Sequence, residues 1–228
     1  IRANNKTALI NTDDEKQIEQ IGDYKSIITF GVGAKNDCIV KFKSANPLVS
    51  LSFDNVEINS QLIGDYNYGN IAIAVALGKH FNVSTKNIKE AIENYQPDNN
   101  RSEIIKKGTN KIILDAYNAN PTSMLAALKN LKQLDSKNKY LFLGDMFELG
   151  DEAEKEHQAI TDFVKDNFDN NIFLIGENFF RCKTDEYALK FKKFEDLKLL
   201  LKTLKLDNST ILIKGSRGMA LERILDSI

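Results

Sequence analysis

The chain has 228 residues, of which 42% are hydrophobic and 28% charged, with a formal net charge of −1. That length admits one large domain or two small ones. The balanced charge offers no basic field for nucleic acid or an anionic membrane surface, and no apolar run approaches the ~18 residues of a membrane span. Cys38 and Cys182 match no metal or redox spacing and are expected as free thiols in a reducing compartment, so a cytoplasmic location is predicted. The first residue is Ile1 rather than Met, and 1–11 has no charged-then-apolar leader layout, so the chain is expected to be a fragment of something longer.

In chain order, 26–31, 38–42, 48–53 and 56–62 read as strands, and 48–53 alternates as a half-exposed strand does. An Ala-rich helix is predicted over 70–81 and a second over 85–93, opened by Ser84 as its cap. Texture changes across 95–110, with Pro97, an Asp-Asn-Asn run and Lys106-Lys107-Gly108. The domain boundary is placed there, giving domains 1–106 and 107–228. Beyond it, strands at 111–115, 139–145, 171–176 and 210–214 alternate with helices at 122–134, 152–165, 194–204 and 219–228. Apolar strands alternating with helices predict an α/β fold whose second half holds a mostly parallel sheet covered on both faces. Ligands bind such sheets beyond the carboxyl ends of the strands. Those ends carry Asp115, Asp145, Glu177 and Lys214. Any one of them could simply end a strand in water, but several on one edge favour a site.

The sharpest segment runs Asp115-Ala116-Tyr117-Asn118-Ala119-Asn120-Pro121-Thr122-Ser123-Met124. Asn120 suits an N-cap and Pro121 the first helical position, and a helix start favours an anion. Met124, Leu128, Leu131 and Leu134 then share one core-facing stripe. A capped turn explains Asn120 and Pro121; it does not require Asp115, Tyr117 and Asn118 together. Further segments stand out at 11–14 (Asn-Thr-Asp-Asp), 64–70 (Gly-Asp-Tyr-Asn-Tyr-Gly-Asn), 99–103 (Asn-Asn-Arg-Ser-Glu), 143–150 followed by His157, and 214–219 (Lys-Gly-Ser-Arg-Gly-Met).

In this order, and across nearly the whole chain, these segments resemble the Mur ligase family, in the branch that adds D-alanyl-D-alanine to UDP-N-acetylmuramoyl-tripeptide for the cell wall. The resemblance implies the end of a central ATP-binding domain followed by a Rossmann-like C-terminal domain. It implies Asn67 and Asn70 at the adenine end of ATP, where an amide both donates and accepts. A helix-start cap is the alternative reading for Asn67. Arg101 would meet the transferring phosphate with a forked, fixed charge; a solvated loop arginine is the alternative. Asp115 would accept from the ribose hydroxyls, and Tyr117 and Asn118 would line the reacting centre. Asn118, Asn120, Asp145, Lys214, Ser216 and Arg217 would face the amino-acid side, with Lys214 or Arg217 on the dipeptide carboxylate. A glycine-rich turn is the alternative for 214–219. His157, beside Ile160 and Val164, is expected to be packed rather than catalytic.

The implied chemistry activates a peptide carboxylate as an acyl phosphate, which the dipeptide amine then attacks. Domain closure would exclude water, and Asn70, Arg101 and Asp115 would share one cleft. The implied cofactors are ATP and Mg²⁺, with metal ligands expected outside this chain. The implied partners are the two substrates and the remaining N-terminal part of the same enzyme, acting as a monomer. Another Mur ligase or a folylpolyglutamate synthetase-like ligase, a non-catalytic nucleotide-binding module and an interaction domain remain open alternatives. A Gly-Lys-Thr/Ser phosphate loop does not occur within the 228 residues; Gly78-Lys79 is followed by His80 inside a predicted helix. The chain by itself should therefore give no ATP-dependent ligation, and product formed above a buffer control would refute this.

Overall fold

The computed structural model describes residues 2–98 and 100–228; Ile1 and Asn99, the latter the first residue of the arginine motif, lie outside the described residues. Two compact units form, one up to Gln96 and one from Pro97. The division falls inside the 95–110 stretch but ahead of 106. Glu103–Lys107 is a strand, antiparallel to Asn110–Asp115.

The first unit runs β1 (Ala8–Asn11), α1 (Glu15–Ile21), β2 (Ile27–Gly31), β3 (Cys38–Ala45), β4 (Leu48–Phe53), β5 (Val56–Ile63), α2 (Tyr68–His80) and α3 (Thr85–Asn94). Its sheet has the order β1-β2-β3-β4-β5, parallel up to β3 and antiparallel from β3 onward. Asp54 and Asn55 form the two-residue turn between β4 and β5 with φ of 48° and 61°. Positive φ at both turn positions matches the twist of the paired strands. Ile71, Val75 and Ala76 of α2 pack on Phe30, Val40, Leu51 and Ile58. The half-exposure expected for 48–53 does not hold: Val49, Ser50, Leu51 and Phe53 are all buried, since β4 is an interior strand. Ser84 does cap α3, accepting from the Asn87 N–H at 3.2 Å.

The second unit runs β6 (Glu103–Lys107), β7 (Asn110–Asp115), α4 (Pro121–Gln133), β8 (Asn138–Gly144), α5 (Ala153–Asn167), β9 (Ile172–Ile175), α6 (Glu177–Arg181), β10 (Ala188–Phe191), α7 (Phe194–Leu201) and β11 (Ser209–Lys214). The sheet order is β10-β9-β8-β11-β7-β6, parallel except for β6. The expected α/β class with a mostly parallel sheet thus holds. Alternate strand residues Ile112, Leu114, Phe142, Ile211 and Ile213 pack with Phe194, Leu197 and Leu201 of α7 and with Leu221 and Ile224. The intervening Ile113, Leu141, Leu143 and Leu212 are buried too, which leaves the opposite face to α4, α5 and α6, with α5 in contact with the other two. On α4 the stripe Met124, Leu128 and Leu131 is fully buried. Each such side chain contributes roughly 1.5–3 kcal/mol of apolar burial. Cys38 and Cys182 are free and buried, and burial pushes both thiols up from their ordinary range.

The helix expected over 219–228 is instead two 3₁₀ turns, Arg217–Met219 and Leu221–Asp226, separated by Ala220 at φ 48°, ψ 46°. The left-handed residue swings Leu221 over the ends of β8 and β11. A Cβ at Gly144 would lie 2.8 Å from Leu221 Cδ1, and one at Gly215 would lie 3.1 Å from the same atom. Leu221 and Ile224, three apart, then fall on one side of a three-residue turn and are both buried. A left-handed alanine is strained where glycine is not. Ala220→Gly should therefore raise unfolding stability by about 1 kcal/mol in urea titrations; a loss of stability would contradict this geometry.

Candidate functional site

In the second unit β11 lies between β7 and β8, and its last residue, Lys214, is in register with Asp115 and Leu143. Parallel pairing therefore brings the carboxyl ends of the three strands together. Lys214 is only 1% exposed, and its ammonium sits 2.5 Å from Asp115 Oδ2. It also donates to the Asn118 carbonyl at 3.4 Å. A buried ammonium costs several kcal/mol unless paired, so this contact fixes both side chains. The other Asp115 oxygen accepts from the Ser102 N–H at 3.1 Å. A carboxylate has about four acceptor positions. The Asp115 side chain remains 13% exposed, so it retains acceptor capacity toward solvent.

Arg101 stands on a strained turn. Asn100 and Ser102, on either side of it, have φ of 60° and 50°, a region costly for residues other than glycine. Both flanks are tied to the end of β7. The Asn100 carbonyl accepts from the Tyr117 N–H at 3.1 Å, and Ser102 donates to Asp115. The exposed Arg101 guanidinium lies 3.7 Å from the centroid of the Tyr117 ring, and that of Arg217, also exposed, lies 5.4 Å from the same centroid. Asn118 is exposed beside them, its Oδ1 accepting from the Ala119 N–H.

Beneath this surface lies a buried polar layer. Ser216 donates its backbone N–H to the Asp145 carbonyl at 3.0 Å and its hydroxyl to the Ala119 carbonyl at 3.4 Å; the same hydroxyl accepts from the Phe147 N–H at 2.8 Å. Asp145 is 2% exposed. Its two oxygens accept from the Asn178 and Phe179 N–H groups, both at 2.9 Å, at the start of α6. Gly176, at φ 124°, leaves room for this: a Cβ there would fall 2.2 Å from the Asp145 carboxyl carbon. His157 has no exposure. Its Nε2 accepts from the Met146 N–H at 2.9 Å, and Nδ1 sits 2.6 Å from the Ala153 carbonyl. This pattern assigns the neutral tautomer with hydrogen on Nδ1. It agrees with the packed, satisfied histidine read from the sequence.

In the first unit Asn67 is buried. Its amide donates to the Ile63 carbonyl at 2.8 Å and its Oδ1 accepts from Asn70 Nδ2 at 3.0 Å. It makes no side-chain cap to α2. Asn70 is exposed, with its nitrogen engaged and its oxygen without a hydrogen bond among the described residues.

The expected residues thus fall into two sets. Arg101, Tyr117, Asn118, Arg217 and part of Asp115 face solvent in the second unit, as Asn70 does in the first. Asn67, Asp145, Lys214 and Ser216 are buried. Asn120 is occupied as the N-cap of α4, in a reciprocal pair of bonds with Ser123. Asp145, Lys214 and Ser216, expected to face a substrate, are instead enclosed beneath the exposed set. Their burial follows from strand ends covered by Leu221, α6 and the 100–102 turn. Ser102, 5% exposed, stands in the 99–103 segment but was given no role from the sequence; a small hydroxyl residue after a loop arginine does not announce an anchoring contact.

A family model described as Mur ligase, glutamate ligase domain matches residues 100–217. The chain is 32% identical over 240 aligned positions to the UDP-N-acetylmuramoyl-tripeptide--D-alanyl-D-alanine ligase of Borreliella burgdorferi, covering 89% of this chain and 51% of that protein. It is 34% identical over 178 positions to the ligase of the same name from Bacillus subtilis, covering 73% and 38%. A crystal structure of MurF from Acinetobacter baumannii superposes with a TM-score of 0.79 at 25% identity, covering 96% of this chain and 51% of that one. MurF from Thermotoga maritima in complex with ADP shares the fold, with a TM-score of 0.79 at 18% identity. The chain spans about half, or less, of the length of the curated relatives it matches.

Replacing Lys214 alone would leave the Asp115 carboxylate facing an apolar side chain in a largely closed site. Lys214→Met should cost about 3–5 kcal/mol in urea unfolding, and the double variant with Asp115→Leu should recover much of that loss. Additive losses in the double variant would show that the two groups are not coupled.

Proposed function

This chain belongs to the Mur ligase family, and we propose that it is part of an ATP-dependent ligase that adds D-alanyl-D-alanine to UDP-N-acetylmuramoyl-tripeptide in the cytoplasm. The relatives bearing that name support the substrate pair, and no helix among the described residues is long and apolar enough to cross a membrane. The observation that carries the reading is the pinned turn that holds an exposed Arg101 beside the Asp115–Lys214 pair.

In this reading ATP supplies the phosphoryl group that activates a peptide carboxylate. The residues of this chain bind and orient. Asp115, aimed by Lys214 and Ser102, accepts from the ribose hydroxyls. Asn70 meets the adenine edge with its free amide oxygen, and Asn67 is the positioning residue that fixes the Asn70 rotamer. Arg101 neutralises charge on the transferring phosphate; because its turn is already strained into place, little reorganisation is needed when the charge develops. Tyr117 and Asn118 border the reacting centre. Asp145, His157 and Ser216 act through others: they hold the 145–147 and 215–217 turns that bring Arg217 to the surface. Asn120 fixes the start of α4. The metal ligands and the phosphate loop are assigned to an N-terminal part of the same enzyme, and that enzyme is read as a monomer.

The test is ADP release by the full-length protein carrying this chain, with the muramoyl tripeptide and D-alanyl-D-alanine both supplied. Release should require both substrates, and Arg101→Ala should lower kcat about 100-fold with little change in melting temperature. Equal turnover without the dipeptide, or with an unrelated amine in its place, would sink the assignment.

A further inference from the structure

Arg101 and Arg217 reach the same tyrosine ring from opposite ends of the second unit, one from the turn before β6 and the other from the turn after β11. Their guanidiniums lie 3.7 Å and 5.4 Å from one ring centroid, that of Tyr117. Neither has an ion pair among the described residues. The nearby carboxylate, Asp115, is already paired with Lys214 and bonded to Ser102. Two like charges gathered on one ring repel. The negative face of the ring offsets part of that repulsion, and a bound anion would offset the rest. Two guanidiniums offer two planar forks and a charge of two. A phosphoryl group matches both, with three oxygens and nearly two negative charges, whereas a carboxylate matches one fork and one charge.

We propose that Arg101 and Arg217 form a single seat for one phosphoryl dianion and that Tyr117 is the positioning residue, a rack that holds both guanidiniums together. Arg217 thereby leaves the dipeptide-carboxylate role expected from the sequence and joins Arg101. Naming the anion as the transferring phosphate of ATP rests on the ligase reading above; the seat itself does not.

The experiment uses the 228-residue chain, labelled with ¹⁵N and titrated with inorganic phosphate while the arginine Nε–H resonances are followed. Both side chains should shift on one saturating isotherm. Arg101→Gln and Arg217→Gln should each weaken phosphate binding about tenfold. Tyr117→Phe should leave it unchanged, and Tyr117→Leu should weaken it and uncouple the two resonances. Acetate at equal concentration should move neither appreciably. Three results would overturn the proposal: no saturable shift in the wild-type chain, unchanged phosphate affinity in Arg217→Gln, or acetate moving Arg217 while phosphate moves only Arg101. Melting curves of the arginine variants, both altered at exposed positions, check that folding is intact. Failure of dipeptide-dependent ADP release with phosphate binding preserved would count against the ligase reading and leave the seat standing.

Discussion

The contact between Lys214 and Asp115 governs the edge of the second unit where the parallel strands end. Both residues end strands of a parallel sheet, in register on neighbouring strands, where side chains are forced together and water is scarce. An ammonium enclosed to this degree is tolerable only because a carboxylate meets it, and the carboxylate is in turn anchored by the Ser102 N–H. Once that pair exists, the 100–102 turn has a fixed docking point. Arg101 then projects outward because its two neighbours are held inward.

The same logic extends sideways. Ser216 and Asp145 continue the β8–β11 pairing past the strand ends, and His157 holds the Met146 amide. Buried groups with satisfied hydrogen bonds make a rigid floor; half-satisfied ones would make a soft one. The motif segments therefore mix two kinds of residue. Some, such as Arg101 and Arg217, are presented to solvent, and others, such as Asp145 and Ser216, hold the first kind in position.

Most of the second unit was legible because its interior strands are continuous apolar runs and its helices carry clear stripes. The strands that were not read, β1, β6 and β10, are all edge strands. An edge strand has one neighbour and partial cover, so its pattern is short and weakly apolar, as in Ala188–Phe191. The helix α1 was missed because it has no buried residue and hence no stripe. Its start and stop signals were there: Asp14 caps its start, accepting from the Lys16 and Gln17 amides, and Gly22 ends it at φ 54°. At the site, the sequence indicated which residues gather at the strand ends but not which of them face water. Lys214 and Arg217 look alike as cations each directly followed by a glycine; only the cover supplied by Asp115, Asn118 and the neighbouring strand separates the buried one from the exposed one. The left-handed Ala220 was equally invisible, since alanine is the strongest helix former and nothing local announces the break.

The Asp145–Gly176 contact binds two distant positions into one heritable unit. Any side chain at 176 would occupy the space of the carboxylate that caps α6. A lineage that acquires a larger residue at 176 must shorten or lose the acid at 145 in the same stroke, and must then find another group to accept from the first amides of α6. The two positions should therefore drift together or stay fixed together.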